Sequence, residues 1–168
     1  QKIGFTEHVP YIEPDGSEEI HRLYTDEIQD YVNTILALKE EYKDKIEIHL
    51  GYEMENIPGK IQQIAKDAKK NGIEYLILGQ HFVGYGSKEF LWSVFGSEKE
   101  SSLVDYADLV IEAIESGYIT YVCHPDMFNF TGDDAIYDRE MRRICKAAKN
   151  NNIPLEINFL GIRTKRKY

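Results

Sequence analysis

Runs of strand-forming residues alternate along the chain with segments whose apolar positions recur at helical spacing. The strand-like runs are Lys2 to His8, Ile46 to Glu53, the stretch beginning at Leu76, Tyr118 to His124, and Leu155 to Phe159. Between them, four amphipathic faces stand out at i, i+3, i+4 and i+7. The first is Ile28, Tyr31, Val32, Ile35, Leu38 and Tyr42, and the second is Ile61, Ile64, Ala65 and Ala68. The third is Leu103, Ala107, Val110, Ile111 and Ile114, and the fourth is Met141, Ile144, Cys145 and Ala148. Thr25 is placed to cap the first helix, with Asp26 and Glu27 in an acidic first turn that suits the helix dipole. Asn71-Gly72, Gly117 and Asn150-Asn151-Asn152 are stop signals, and Pro10, Pro14, Asp15 and Gly16 make the first loop. The order β-α-β-α-β-α-β-α-β predicts an α/β fold with consecutive parallel strands and right-handed crossovers. No repeat, low-complexity stretch or linker divides it, so residues 1–168 read as a single domain.

The polar residues fall at the ends of these runs. His8, Glu53, His81 and His124 each close a strand-like segment, and Asn158 closes the fifth. Side chains alternate across a strand, so parity decides which of them share a face. Gly4, Thr6 and His8 share one face; so do Glu47, His49, Gly51 and Glu53; Tyr75, Ile77, Gly79 and His81; Thr120, Val122 and His124; and Glu156 with Asn158. The opposite faces are mostly apolar. Polar groups gathered at the carboxyl ends of parallel strands are the pattern of a barrel with a metal site. Three imidazoles and a carboxylate suit Zn²⁺, Mn²⁺ or Fe²⁺ better than Ca²⁺ or Mg²⁺, which prefer oxygen. His21 reads as a loop residue, and His49 sits roughly 13 Å along the strand from Glu53; neither is included. Pro125 is expected to keep His124 extended. Cys123 and His124, as strand neighbours, are expected to face opposite ways, which argues against a thiol–imidazole nucleophile. A glycine-rich loop with Tyr85, Phe90, Trp92 and Phe95 follows the third strand, where barrels place substrate walls or a lid.

Composition narrows the partners. The chain has 168 residues, enough for one core but short of the roughly 250 typical of an eight-stranded barrel. A net charge of −9 without a basic stripe argues against nucleic acid and anionic membranes. There is no membrane-length apolar run and no signal-peptide pattern. The two cysteines, Cys123 and Cys145, lack CxxC spacing and read as reduced, buried thiols of a cytoplasmic protein. Nucleotide-binding glycine loops and a GxSxG elbow are absent from the sequence. The chain opens at Gln1 almost directly on a strand, which suggests a piece of a longer polypeptide.

The segments GFTEHVPY (4–11), GYEME (51–55), ILGQHFVG (77–84), CHPDMF (123–128) and LEINFLGIR (155–163) together resemble the PHP superfamily of metal-dependent phosphoesterases, in its histidinol-phosphatase branch. The resemblance implies a distorted (β/α)7 TIM-like barrel with two or three divalent metals. It also implies hydrolysis of L-histidinol phosphate, a small-molecule phosphate ester, in histidine biosynthesis. On this match His8, Glu53, His81 and His124 are metal ligands, Arg163 is the catalytic phosphate-binding cation, and Asn158 shapes the substrate pocket. Asp126 is one candidate for protonating the leaving oxygen. The family's first-strand HxH and last-strand DxH pairs do not occur in this sequence. An incomplete barrel, with weak metal binding and low activity for these residues alone, is therefore expected. Two alternatives stay open: a PHP phosphoesterase acting on another phosphate ester, and a degenerate PHP-like domain that binds without catalysis.

Overall fold

The computed structural model describes residues 1–12, 16–164 and 166–167, so Pro14, Asp15 and Lys165 lie outside the described residues. The chain divides into two compact units, one comprising Gln1–Met54 with Gln62–Ile77, the other Glu55–Ile61 with Leu78–Tyr168.

In the first unit, β1 (Lys2–His8) and β2 (Glu47–Met54) pair in parallel, and β3 (Tyr75–Leu78) completes the order β1-β2-β3. The alternation predicted for β2 holds. Ile48, Leu50, Tyr52 and Met54 are buried, while Glu47 is exposed and His49 and Glu53 are half-buried. Ile48 and Leu50 pack on Val32 and Ile35 of α1 (Ile28–Glu41), with Phe5, Ile28, Tyr31 and Leu38 around them. Burying one such aliphatic side chain contributes about 1.5–3 kcal/mol. Thr25 is not the cap expected from its hydroxyl. It opens a short 3₁₀ turn (Thr25–Glu27) whose start is held by Tyr24, whose N–H donates to Glu27 Oε2 at 3.0 Å. Glu27 N–H answers on the Tyr24 carbonyl, also at 3.0 Å, so the acidic residue at the third position displaces Thr25 from that role.

Helix α2 (Ile61–Lys70) stops where Asn71-Gly72 requires. Gly72 takes φ 79°, and Ile73 N–H reaches back to the Ala68 carbonyl at 3.0 Å. The other face of the sheet is filled by one ring: Tyr75 lies across Gly4 and Gly51. A Cβ at those positions would come within 2.0 Å and 2.5 Å of Tyr75 atoms.

In the second unit, α3 (Glu100–Glu115) buries Leu103, Tyr106, Ala107, Val110 and Ile114 and packs on α4 (Asp134–Asn151). Asp133 caps α4 by accepting the Ala135 N–H at 2.7 Å, and Asn152 closes it in the left-handed region at φ 55°. The hydrophobic face of α4 is Ile144, Ala147 and Ala148 with Glu140, and this corrects the predicted stripe. Cys145 points to solvent. Glu140 is drawn inward by Arg139 and Arg143, which turns the helix by one position from the all-apolar reading. Both cysteines are free thiols.

The fourth and fifth predicted strands also need correction. They are reduced to parallel bridges at Val122, which meets Leu78 on one side and Leu155 on the other. Just beyond those bridges the His124 N–H leaves the sheet for the Glu156 side chain, and its carbonyl closes a turn with the Met127 N–H. The chain after Leu155 leads into a one-turn helix, α5 (Leu160–Arg163). The loop after β3 contains a short antiparallel hairpin, β4 (Phe82–Val83) with β5 (Leu91–Trp92). The architecture is α/β with a parallel sheet, and no closed barrel forms among the described residues.

Candidate metal centre

In the first unit, parallel register sets His8 directly opposite Glu53. Their side chains are 31% and 15% exposed, and His8 Nδ1 lies 3.9 Å from Glu53 Oε1. That separation is too long for a direct hydrogen bond between them and is the distance of an ion pair if the imidazole is protonated. The N–H of His8 donates to Glu7 Oε1 at 3.0 Å. Below Glu53, the Tyr31 hydroxyl donates to the Gly51 carbonyl at 2.9 Å and its ring stacks on Tyr52 at 5.8 Å. Burial pushes both phenols up to about 12, so they stay neutral hydrogen-bonding groups. The strand carrying Glu53 is thus pinned on both faces, by Tyr31 and Tyr52 outside and Tyr75 inside.

In the second unit, His81 and His124 come together with ring centroids 5.0 Å apart at 60°. Neither is placed by a strand. His81 follows Gln80, a buried amide whose Oε1 accepts the Asn56 N–H at 3.0 Å and whose Nε2 donates to the Phe82 carbonyl at 2.8 Å. Glu55 is 1% exposed and accepts the N–H groups of His81 at 2.5 Å and Phe82 at 2.8 Å. Its Oε1 is also 3.8 Å from His81 Nδ1. His124 departs from the extended backbone that Pro125 predicted: its φ is +33°. A following proline disfavours the right-handed region but does not enforce the strand, and the left-handed conformation is fixed by two bonds. His124 N–H donates to Glu156 Oε2 at 2.6 Å, and its carbonyl accepts from Met127 N–H at 2.9 Å.

The same turn overturns the expectation that Cys123 and His124 diverge. Their Sγ and Nε2 atoms are 3.3 Å apart. Cys123 is nevertheless buried and lies 3.0 Å from the Leu78 carbonyl, the setting of a structural thiol rather than a nucleophile.

The aromatic residues after His81 form one cluster. Phe82 stacks on Phe90 at 5.1 Å and on Trp92 at 6.0 Å, Trp92 meets Phe95 at 5.2 Å, and Tyr85 meets Phe90 at 5.6 Å. The hairpin is tied to the histidine, since Ser93 N–H donates to the His81 carbonyl at 2.6 Å. Asn158 is half-buried and donates to Glu156 Oε2 at 3.2 Å. Arg163, on α5, is exposed. His21 binds Glu19 at 2.7 Å, and His49 lies between Glu47 at 2.9 Å and Glu74 at 3.0 Å, so both are occupied by carboxylates.

The structure therefore brings together His8 with Glu53 and His81 with His124. It adds three residues that the sequence reading passed over: Glu55, Gln80 and Glu156. Glu55 had a visible signal, since it shares the parity of Glu53 in GYEME. Glu156 had the same kind of signal, its shared parity with Asn158, and Gln80 had none beyond standing next to His81.

Residues 1–159 match the PHP domain. The chain is 24% identical over 141 residues to the "Probable histidinol-phosphatase" of Deinococcus radiodurans, covering 80% of this chain and 54% of that protein. It is 28% identical over 182 residues to the "Probable histidinol-phosphatase" of Schizosaccharomyces pombe, covering 96% of this chain and 58% of that protein. The chain thus spans just over half the length of these curated relatives. Among solved structures it is similar to hisK from Listeria monocytogenes, with a TM-score of 0.73 and 17% identity over 96% of this chain and 72% of that one. It is also similar to histidinol phosphate phosphatase from Lactococcus lactis, solved with zinc, L-histidinol and phosphate. There the TM-score is 0.68 at 20% identity, over 94% of this chain and 61% of that one. At these identities the structural likeness speaks for the fold.

Proposed function

The chain belongs to the PHP-domain family, and on that premise we propose that it forms part of a metal-dependent phosphomonoester hydrolase acting on L-histidinol phosphate. The observation that carries the reading is the His8–Glu53 pair, an imidazole and a carboxylate in register at the carboxyl ends of parallel strands and 3.9 Å apart. The names of the curated relatives and the zinc, histidinol and phosphate in the Lactococcus lactis structure support the substrate and the metal. The accompanying fold proposal is the distorted (β/α)7 barrel, supported by the likeness to the two solved structures.

In this reading His8, Glu53, His81 and His124 hold divalent metal, with Zn²⁺, Mn²⁺ and Fe²⁺ all compatible with the nitrogen-rich donor set. Bound there, such a metal would supply Lewis-acid activation of the phosphoryl group and of the attacking water. Arg163 binds the phosphoryl oxygens through its planar fork of donors and offsets the charge that develops on them. Asn158, anchored by Glu156, shapes the pocket. The four ligands act by position, and the bonds behind them hold that position.

The test is elemental analysis of the purified chain, together with phosphate release from L-histidinol phosphate in added Mn²⁺ or Zn²⁺. Bound metal and release, both lost in Glu53→Gln and His8→Ala, are the expected result. In Arg163→Ala the Michaelis constant should rise and turnover fall. Metal binding with release from a different ester would move the assignment to another PHP phosphoesterase. Neither metal nor release would support the non-catalytic PHP-like domain.

A further inference from the structure

Each of the three histidines assigned to the metal has its backbone N–H bound to a carboxylate. For His8 the acceptor is its neighbour Glu7, as in many exposed turns. For His81 and His124 it is a residue distant in sequence, Glu55 and Glu156, at 2.5 Å and 2.6 Å. We propose that Glu55 and Glu156 are positioning residues, which fix the two non-strand histidines by accepting their backbone N–H groups. The inference rests on the assignment of His81 and His124 as ligands for its consequence, but not for its geometry.

The two histidines need such support for a definite reason. In β1 and β2 the ladder fixes each residue's backbone, and the side-chain direction follows. Past Leu78 and past Val122 the parallel ladder ends, and for His81 only the Ser93 N–H to its carbonyl remains from the hairpin. The N–H side of both histidines is therefore held by other groups. Glu55 supplies two bonds, taking the N–H groups of both His81 and Phe82 on one oxygen. An ionised acceptor makes such bonds shorter and roughly twice as strong as a neutral one.

Glu55 is 1% exposed, and removing it would leave two part-buried donors without that acceptor. Glu156 is exposed and holds a different kind of residue, a histidine at φ +33°. A non-glycine residue there is held only when its surroundings over-determine it. Glu156 also accepts from Asn158, so one carboxylate orients both a ligand and a pocket residue.

A glutamate that merely stabilises the fold would lower the melting temperature without changing the folded protein's affinity for metal. A positioning glutamate changes that affinity, and conservative replacement partly restores it. Two readouts separate the cases, both on the 168-residue chain. The first is the amide ¹H–¹⁵N spectrum, which requires no metal. In Glu55→Ala the His81 and Phe82 amide protons should move strongly upfield, as should that of His124 in Glu156→Ala. Glu55→Gln and Glu156→Gln, which keep an acceptor oxygen, should move them less.

The second readout is Zn²⁺ affinity by calorimetry, well below the melting temperature. It should weaken by about 10- to 100-fold in Glu55→Ala, the range seen when groups behind metal ligands are removed. In Glu156→Ala it should weaken by less, and in the glutamine variants least. If Glu55→Ala does not fold, Glu55→Gln and the Glu156 pair carry the test. Unmoved amides, or alanine and glutamine variants that bind Zn²⁺ as the parent does, would overturn the proposal. If the parent itself binds no Zn²⁺, the metal reading fails, and the amide shifts alone decide the positioning role.

Discussion

The two compact units place their histidines by different physics. In the first, His8 and Glu53 stand on a continuous parallel ladder from Lys2 opposite Glu47 to His8 opposite Glu53. In the second, His81 and His124 stand on turns whose bonds run to Glu55, Gln80 and Glu156. A ladder sets every residue by repetition, so no single bond is decisive. A side-chain-held turn concentrates the same task in a few acceptors, where one substitution has a local and large effect. The placing of His8 and Glu53 is therefore a property of the sheet, and that of His81 and His124 a property of individual residues.

Substitutions can break or sharpen this contrast. The largest expected effect lies in the sheet unit, where Leu50 is 0% exposed among Val32, Ile35 and Ile48. Leu50→Ala should cost about 2–5 kcal/mol in denaturant unfolding, because the ridge seating β2 on α1 is lost. A cost under about 1 kcal/mol would mean that the ladder alone holds β2. In the turn unit the comparable weak point is backbone. Gly96 has φ +69°, and a Cβ there would lie 1.7 Å from the Asn129 carbonyl oxygen. Gly96→Ala should cost on the order of 3 kcal/mol, since backbone must move rather than a flexible side chain.

Smaller effects come from two carboxylates whose acidity differs from the ordinary. Burial raises Glu140, but its bonds to Arg139 and Arg143 outweigh this and hold it below the usual carboxylate range. Its contribution is therefore present above the unfolded carboxylate value and is lost as pH falls through the lower, folded value. Glu140→Gln should cost about 1.5–3 kcal/mol at neutral pH and flatten the acid limb of stability against pH. An unchanged acid limb would remove Glu140 from the account.

Glu74 in the sheet unit has the same sign. Burial raises it, and Lys39 and His49 more than reverse that. Its side chain is 33% exposed, so Glu74→Gln should cost under about 1 kcal/mol. The same unfolding titration gives both values.

The contrast also explains what the sequence could tell. β1, α1, β2, α2, α3 and α4 follow from periodicity and stop signals because their geometry is repetitive, and repetition is what a pattern of apolar positions encodes. His8 and Glu53 were legible for the same reason, since strand parity is a local property. The expected fourth and fifth strands contracted to bridges at Val122, where the next N–H, that of His124, leaves the sheet for Glu156, 32 residues later in the sequence. Neither the φ of His124 nor its contact with Cys123 could be read from Pro125, which excludes one backbone region without choosing among the others. Cys145 was misplaced because a helical wheel counts Glu140 as polar and outward, whereas Arg139 and Arg143 neutralise it inward. Parity pointed to Glu55, but its partners were hidden by the same logic: they are amides 26 and 27 residues later, a relation no local pattern records.

The misplaced cysteine carries one practical consequence. The sequence has two thiols; Cys145 is exposed on α4, and Cys123 is 5% exposed. A colourless disulfide reagent that releases a yellow anion should therefore titrate one thiol within the mixing time and the second only as fast as the protein opens. The unmodified chain thus contains its own clock for opening around Cys123, the residue beside His124. The fast thiol, Cys145 on α4, is also a single address for a nitroxide or a dye while Cys123 stays covered.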